Sequence, residues 1–141
     1  MEEDSKELAQ AGSYGVKLHF RARGKLDGKG LASILHKSLT LGAEGLGKEG
    51  VLLGHVKAIA MTDEGFVKVN IVDLRLGADV VDNIGKKAVE NGTINLMAAV
   101  AGRSDQDVRE GLERAVSALA RQLWVDDDRG DKCANRILEL R

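Results

Sequence analysis

The chain has 141 residues, seventeen of them glycine and none proline, with one cysteine and a formal net charge of −1; that length suits one hydrophobic core and argues against a second domain. The single cysteine, Cys133, excludes an internal disulfide or a multi-cysteine metal site and fits a reducing, cytoplasmic setting. Only Tyr14, Phe20, Phe66 and Trp124 are aromatic, too few for a platform of stacked bases.

Residues 1–12 carry Glu2, Glu3, Asp4 and Glu7, unlike the basic and then apolar start of a signal peptide. They are expected to stay outside a folded domain at 13–124. From there, strict alternation puts Val16, Leu18, Phe20 and Ala22 on one side and Lys17, His19, Arg21 and Arg23 on the other, which predicts a half-buried strand. Leu31, Ile34, Leu35 and Leu39 recur at helical spacing and predict a helix over about 29–41, stopped by Gly42. A glycine-dense connector, 42–50, leads to two β-rich runs, 51–61 and 66–76, joined as a hairpin by Thr62-Asp63-Glu64-Gly65. In the favoured register Met61 pairs with Phe66, Lys57 with Asn70 and Val56 with Ile71. A three-residue loop with a bulge at Gly65 instead turns Lys57 to the side of Val69 and Ile71.

Val80, Val81, Ile84, Ala88 and Val89 predict a second helix over 79–91, ending at Asn91-Gly92. Ile94, Leu96, Ala98 and Val100 alternate as a fourth strand over 93–101. The last helix starts at the cap Ser104, with Asp105 and Asp107 in its first turn, and carries Val108, Leu112, Ala115, Val116, Leu119 and Leu123 as one apolar stripe. Residues 125–141 form an acidic tail. The order predicts an α+β fold, a ferredoxin-like βαββαβ two-layer sandwich with an additional C-terminal helix. Its crossover helices share one sheet face, leaving the other open unless the last helix or a second subunit covers it. The nearly apolar run Ile94 to Ala101 is far shorter than the roughly twenty residues of a membrane span, so no membrane partner is expected.

The non-core face of that sheet collects Lys17, His19, Arg21 and Arg23, then His55, Lys57, Ile59 and Met61, then Phe66, Lys68, Asn70 and Val72, and finally Asn95, Met97 and Ala99. These residues include no carboxylate, so the face attracts anions; its apolar members equally suit burial against a twin subunit. Gly54-His55-Val56-Lys57 is its most site-like stretch, because a glycine inside a strand permits close backbone approach and the next outward groups are an imidazole and an ammonium. His55 is the candidate catalytic acid or base, and His19, Arg21, Gly54, Lys57, Lys68 and Asn70 are the candidate ligand-binding residues.

Other motifs carry less. Gly42 to Lys48 has the glycine and lysine spacing of a phosphate-binding loop, but Glu49 stands where Ser or Thr holds magnesium, and a helix precedes it where a strand should. Glu64 to Ile71 echoes an RNA-recognition strand in Gly65, Phe66 and Val69 alone, with Lys68 in place of the second stacking aromatic. Asp126 to Asp131 lacks the bidentate acid of a calcium loop, since Ile137 occupies that position. His19, His36 and His55 have no paired metal-ligand spacing, and Cys133 has no neighbouring base. The expectation is a small cytoplasmic binding or regulatory protein that self-associates through the mixed basic and apolar sheet face, the same face being suited to an anionic small molecule or nucleotide. An enzyme using His55 with a Lys57, Arg21 or His19 anion clamp is the alternative, and a charge-driven RNA-binding module is the weaker one. No cofactor and no metal are implied.

Overall fold

A computed structural model describes residues 11–47 and 51–127. The acidic opening before Ala11, Lys48 to Gly50 of the connector and the tail from Asp128 onward, with Cys133, lie outside those residues. Strand β1 (Ala11–Ala22) buries Val16, Leu18 and Phe20 and exposes Lys17, His19 and Arg21, as the alternation requires. Asp27 then opens helix α1 (Gly28–Glu44), its carboxylate accepting from the Gly30 amide at 2.9 Å and satisfying one of the free N-terminal donors. The helix does not stop at Gly42; that glycine is buried inside it.

Strands β2 (Gly54–Thr62) and β3 (Gly65–Asp73) form the hairpin in the favoured register, with Met61 opposite Phe66, Lys57 opposite Asn70 and Val56 opposite Ile71. The expected second helix is absent. Gly77–Asp82 is strand β4, antiparallel to β3, and a loop follows to Glu90. The reason lies at Asp82, whose carboxylate accepts from the Ile84 and Gly85 amides at 2.9 and 3.1 Å. Such a side-chain turn competes with helix formation, and Gly85 takes φ +67°, which no interior helical residue adopts.

Strand β5 (Asn91–Ala101) leads into helix α2 (Asp105–Gln122). A reciprocal box caps this helix: the Asp107 amide donates to Ser104 Oγ at 3.0 Å and the Ser104 amide to Asp107 Oδ2 at 3.3 Å. Strand β6 (Leu123–Asp127) follows without a loop and pairs antiparallel with β1. It takes in Val125, Asp126 and Asp127, which composition alone assigns to the tail.

These strands make one six-stranded, wholly antiparallel sheet in the order β4-β3-β2-β5-β1-β6. That corrects the ferredoxin-like βαββαβ expectation: the second crossover helix does not form, and β4 and β6 extend the sheet at both edges. Both helices pack on the face carrying Val16, Leu18, Phe20, Val56, Ala58, Ala60, Val67, Val69, Ile71, Ile94, Leu96, Ala98 and Val100, in one continuous core. They cross each other at Gly42 and Gly111, where a Cβ on Gly42 would lie 2.7 Å from the Gly111 carbonyl oxygen. No helix among the described residues is long and apolar enough to cross a membrane.

Candidate functional site

The face turned away from the helices is a grid whose rows follow from strand register. One row runs Asp79, Asn70, Lys57, Met97, Gly15; the next runs Val81, Lys68, Ile59, Asn95, Lys17. Beyond these, Met61, Thr93 and His19 align, and Arg21 stands opposite both Asn91 and Trp124. In the other direction His55 pairs with Ala99, which pairs in turn with Ser13.

Of the residues singled out from sequence, His55, Lys57, Lys68 and Asn70 come together on the adjacent strands β2 and β3. Lys57 and Asn70 are direct cross-strand partners, which puts their Cβ atoms about 5 Å apart, and His55 is the next outward residue along β2. His19 and Arg21 do not join them: β5 intervenes, and both lie toward the opposite end of the strands. His19 faces Asp126 across the β1–β6 pair. Gly54 serves the backbone, since a Cβ there would strike the Ala99 carbonyl oxygen and its φ is +156°. It lets β2 approach β5 closely at the point where His55 leaves the sheet.

The two strands unforeseen from sequence alter the electrostatics. They bring Asp79 and Asp126 onto this face, so carboxylates do occur there, at its two edges. They also bring Trp124, whose ring lies 4.2 Å beneath the Arg23 guanidinium; Arg23 donates to the Ala120 carbonyl at the end of α2 as well. The alternation of Leu123, Trp124, Val125 and Asp126 was the available signal. Toward the centre Lys57 and Lys68 keep the balance basic, and neither they nor the more distant Arg21 makes an ion pair among the described residues.

Two polar atoms within this group are sealed from solvent and have no hydrogen-bond partner: His55 Nδ1 and Asn70 Oδ1. They flank Lys57, one along the strand and one across it. His55 is half-buried; its cross-strand partner is Ala99 and its outward neighbour along β2 is Lys57, neither of them a carboxylate. Two clefts lie at the other end of the strands. One, of about 610 Å³, is lined by Lys25, Asp27, Lys86 and Glu90 among others; the second, of about 450 Å³, includes Asp63, Glu64, Lys87 and the same Glu90. Lysines and carboxylates balance in the first, the second sets three carboxylates against one lysine and so repels anions, and neither holds a buried unpartnered polar atom. No cluster of three potential metal ligands occurs among the described residues. Comparison with protein-family models, curated proteins and solved structures finds no match.

Proposed function

We propose that this chain is a cytoplasmic binding protein for a small molecule bearing a carboxylate or phosphoryl group, held on the open sheet face at Lys57. The observation that carries this reading is the pair of orphaned atoms, His55 Nδ1 and Asn70 Oδ1, beside an ammonium with no ion-pair partner among the described residues. A buried polar atom without a partner costs about 1–3 kcal/mol, a large share of the roughly 5–15 kcal/mol that keeps a domain folded. Of the two, His55 Nδ1 donates to an anion in its Nδ1–H tautomer, whereas Asn70 Oδ1 only accepts and is satisfied by a hydroxyl or other donor on the same ligand; with the Lys57 ammonium they make a site for a small anion that carries such a donor. Lys57 supplies the charge, His55 Nδ1–H a donor to the anion, and Asn70 Oδ1 an acceptor for the ligand's own O–H. Ala99 beside His55, with Ser13 and Gly15 one strand further, leaves the surface on that side of His55 low.

A thermal-shift series with inorganic phosphate, pyrophosphate, nucleotides and citrate at constant ionic strength tests this. A ligand at a hundred times its dissociation constant stabilises the fold by about 2.7 kcal/mol. The expected result is a rise in Tm with at least one of these anions that Lys57→Gln removes while leaving the ligand-free Tm close to its original value. No rise with any anion, or an equal rise in Lys57→Gln, refutes the assignment.

A further inference from the structure

We infer that the anion is enclosed between the open sheet faces of two copies of this chain, so that ligand binding and dimerisation are one linked event. This rests on the reading of Lys57 as the anion site and adds to it the partner that completes the site.

Three observations lead there. First, His55, Lys57 and Asn70 stand on an open sheet, where a ligand is contacted from one side only, whereas small-molecule sites bury about 70–90% of their ligand. Ala99 beside His55, and Ser13 and Gly15 one strand further, are too small to rise around it, Met97 is the single large neighbour of Lys57 on that side, and both helices pack on the opposite face. Second, the same face is apolar between its lysines. Met61 and Met97 are 50% and 44% exposed, Val72 and Val81 49% and 50%, and Ile59 and Phe66 are half-buried beside them. Six strands about 4.8 Å apart and about nine residues long span roughly 24 by 30 Å, close to the roughly 800 Å² per partner of a stable protein interface.

Third, the charges set the condition. Lys57 and Lys68 have no ion-pair partners among the described residues, while Asp79 and Asp126 occupy the edges. Two copies brought face to face oppose like charges near the centre, and like-charge juxtaposition across an interface is costly. An anion at each Lys57 converts that repulsion into a bridge. Because coupling is reciprocal, an anion bound more tightly by the dimer must strengthen the dimer by the same factor per site.

Sedimentation velocity on the full chain, at fixed ionic strength in chloride and again with phosphate or citrate, reads this directly; the thermal-shift series on the same samples reads anion binding separately. The expected result is a dimer dissociation constant at least about tenfold lower with the anion. Met61→Asp, a substitution at an exposed position two rows from Lys57, should abolish the dimer and weaken the anion-dependent rise in Tm while circular dichroism stays unchanged. Lys57→Gln should make dimerisation indifferent to the anion. A Tm rise in a protein that stays monomeric overturns the enclosure and leaves the anion site standing. A dimer of equal strength with and without anion overturns the linkage, and neither a dimer nor a Tm rise overturns both. A monomer whose Tm rises with a single-stranded oligonucleotide but not with phosphate assigns the face to nucleic acid and refutes the inference.

Discussion

Gly42→Ala probes the contact that holds the helical layer together. A methyl at position 42 would stand 2.7 Å from the Gly111 carbonyl oxygen and 3.2 Å from Ala115 Cβ, against about 3.3–3.6 Å for an ordinary carbon–oxygen contact. Neither neighbour can rotate away, so the shortfall must be met by moving one helix relative to the other. Overpacking of this kind costs about 1–3 kcal/mol, while relief of the glycine's helix penalty returns up to about 1 kcal/mol. The net expectation is a loss of about 1–2 kcal/mol, read from urea unfolding followed by far-ultraviolet circular dichroism with an unchanged m-value. Gly111→Ala is the internal comparison. There the new methyl meets Leu46 Cδ1 and Cγ at 2.8 and 2.9 Å, a side chain that can shift, and its backbone contact, the Gly42 carbonyl oxygen, is looser at 3.2 Å, so its loss should be the smaller of the two. A Gly42→Ala protein as stable as the original, or more so, would mean that the helices do not cross at this distance.

Three further outcomes are expected. Ser104→Ala removes the oxygen that accepts from the Asp107 amide and should cost about 1 kcal/mol in the same unfolding assay; an unchanged midpoint would rule out the capping box. Asp73 is held at about 2, below its usual 3.8, by hydrogen bonds from the Arg75 side chain and amide. Its small contribution to stability is therefore present above pH 3.8 and is lost as the pH falls through about 2. Arg75→Gln should move the carboxyl resonance titration up toward the usual value, and a titration that stays put would contradict the pairing. Gly54→Ala drives a methyl into the Ala99 carbonyl at a positive φ and should cost about 2 kcal/mol or more, with faster amide exchange along β2; wild-type exchange would deny the close approach.

Where one period dominated, the pattern of side chains was enough. The alternations at Val16 to Ala22 and Ile94 to Val100 became β1 and β5, the stripes at Leu31 to Leu39 and Val108 to Leu119 became the helices, and the matched sides of Val56 and Ile71 set the hairpin register. Residues 79–91 misled because Val80, Val81, Ile84 and Val89 fit a helical face while the deciding interaction, the Asp82 carboxylate on two following amides, is polar and local. Strand β6 was hidden by continuity: Leu123 extends the stripe of α2, and Asp126 and Asp127 are poor strand formers that pair only because β1 offers an open edge. At the site, Lys57 and Asn70 were placed by register. The isolation of His55 Nδ1 and Asn70 Oδ1 depends on the atoms packed around each side chain, which residue pattern does not give, and His19 and Arg21 were set apart by a strand order that pattern alone does not define.

That strand order also governs how the chain can assemble. The meander β2-β3-β4 joins neighbours in sequence and closes through short turns, so it can form early and by itself. Strand β1 cannot: Ala11 pairs with Ala101 and Leu18 with Asp127, so the first of the described strands is held by the last two of them. Closing loops that span nearly the whole described chain must precede those pairings, which slows folding. During synthesis β1 therefore waits with both edges bare, and its apolar Val16, Leu18 and Phe20 stay exposed until α2 and β6 have emerged.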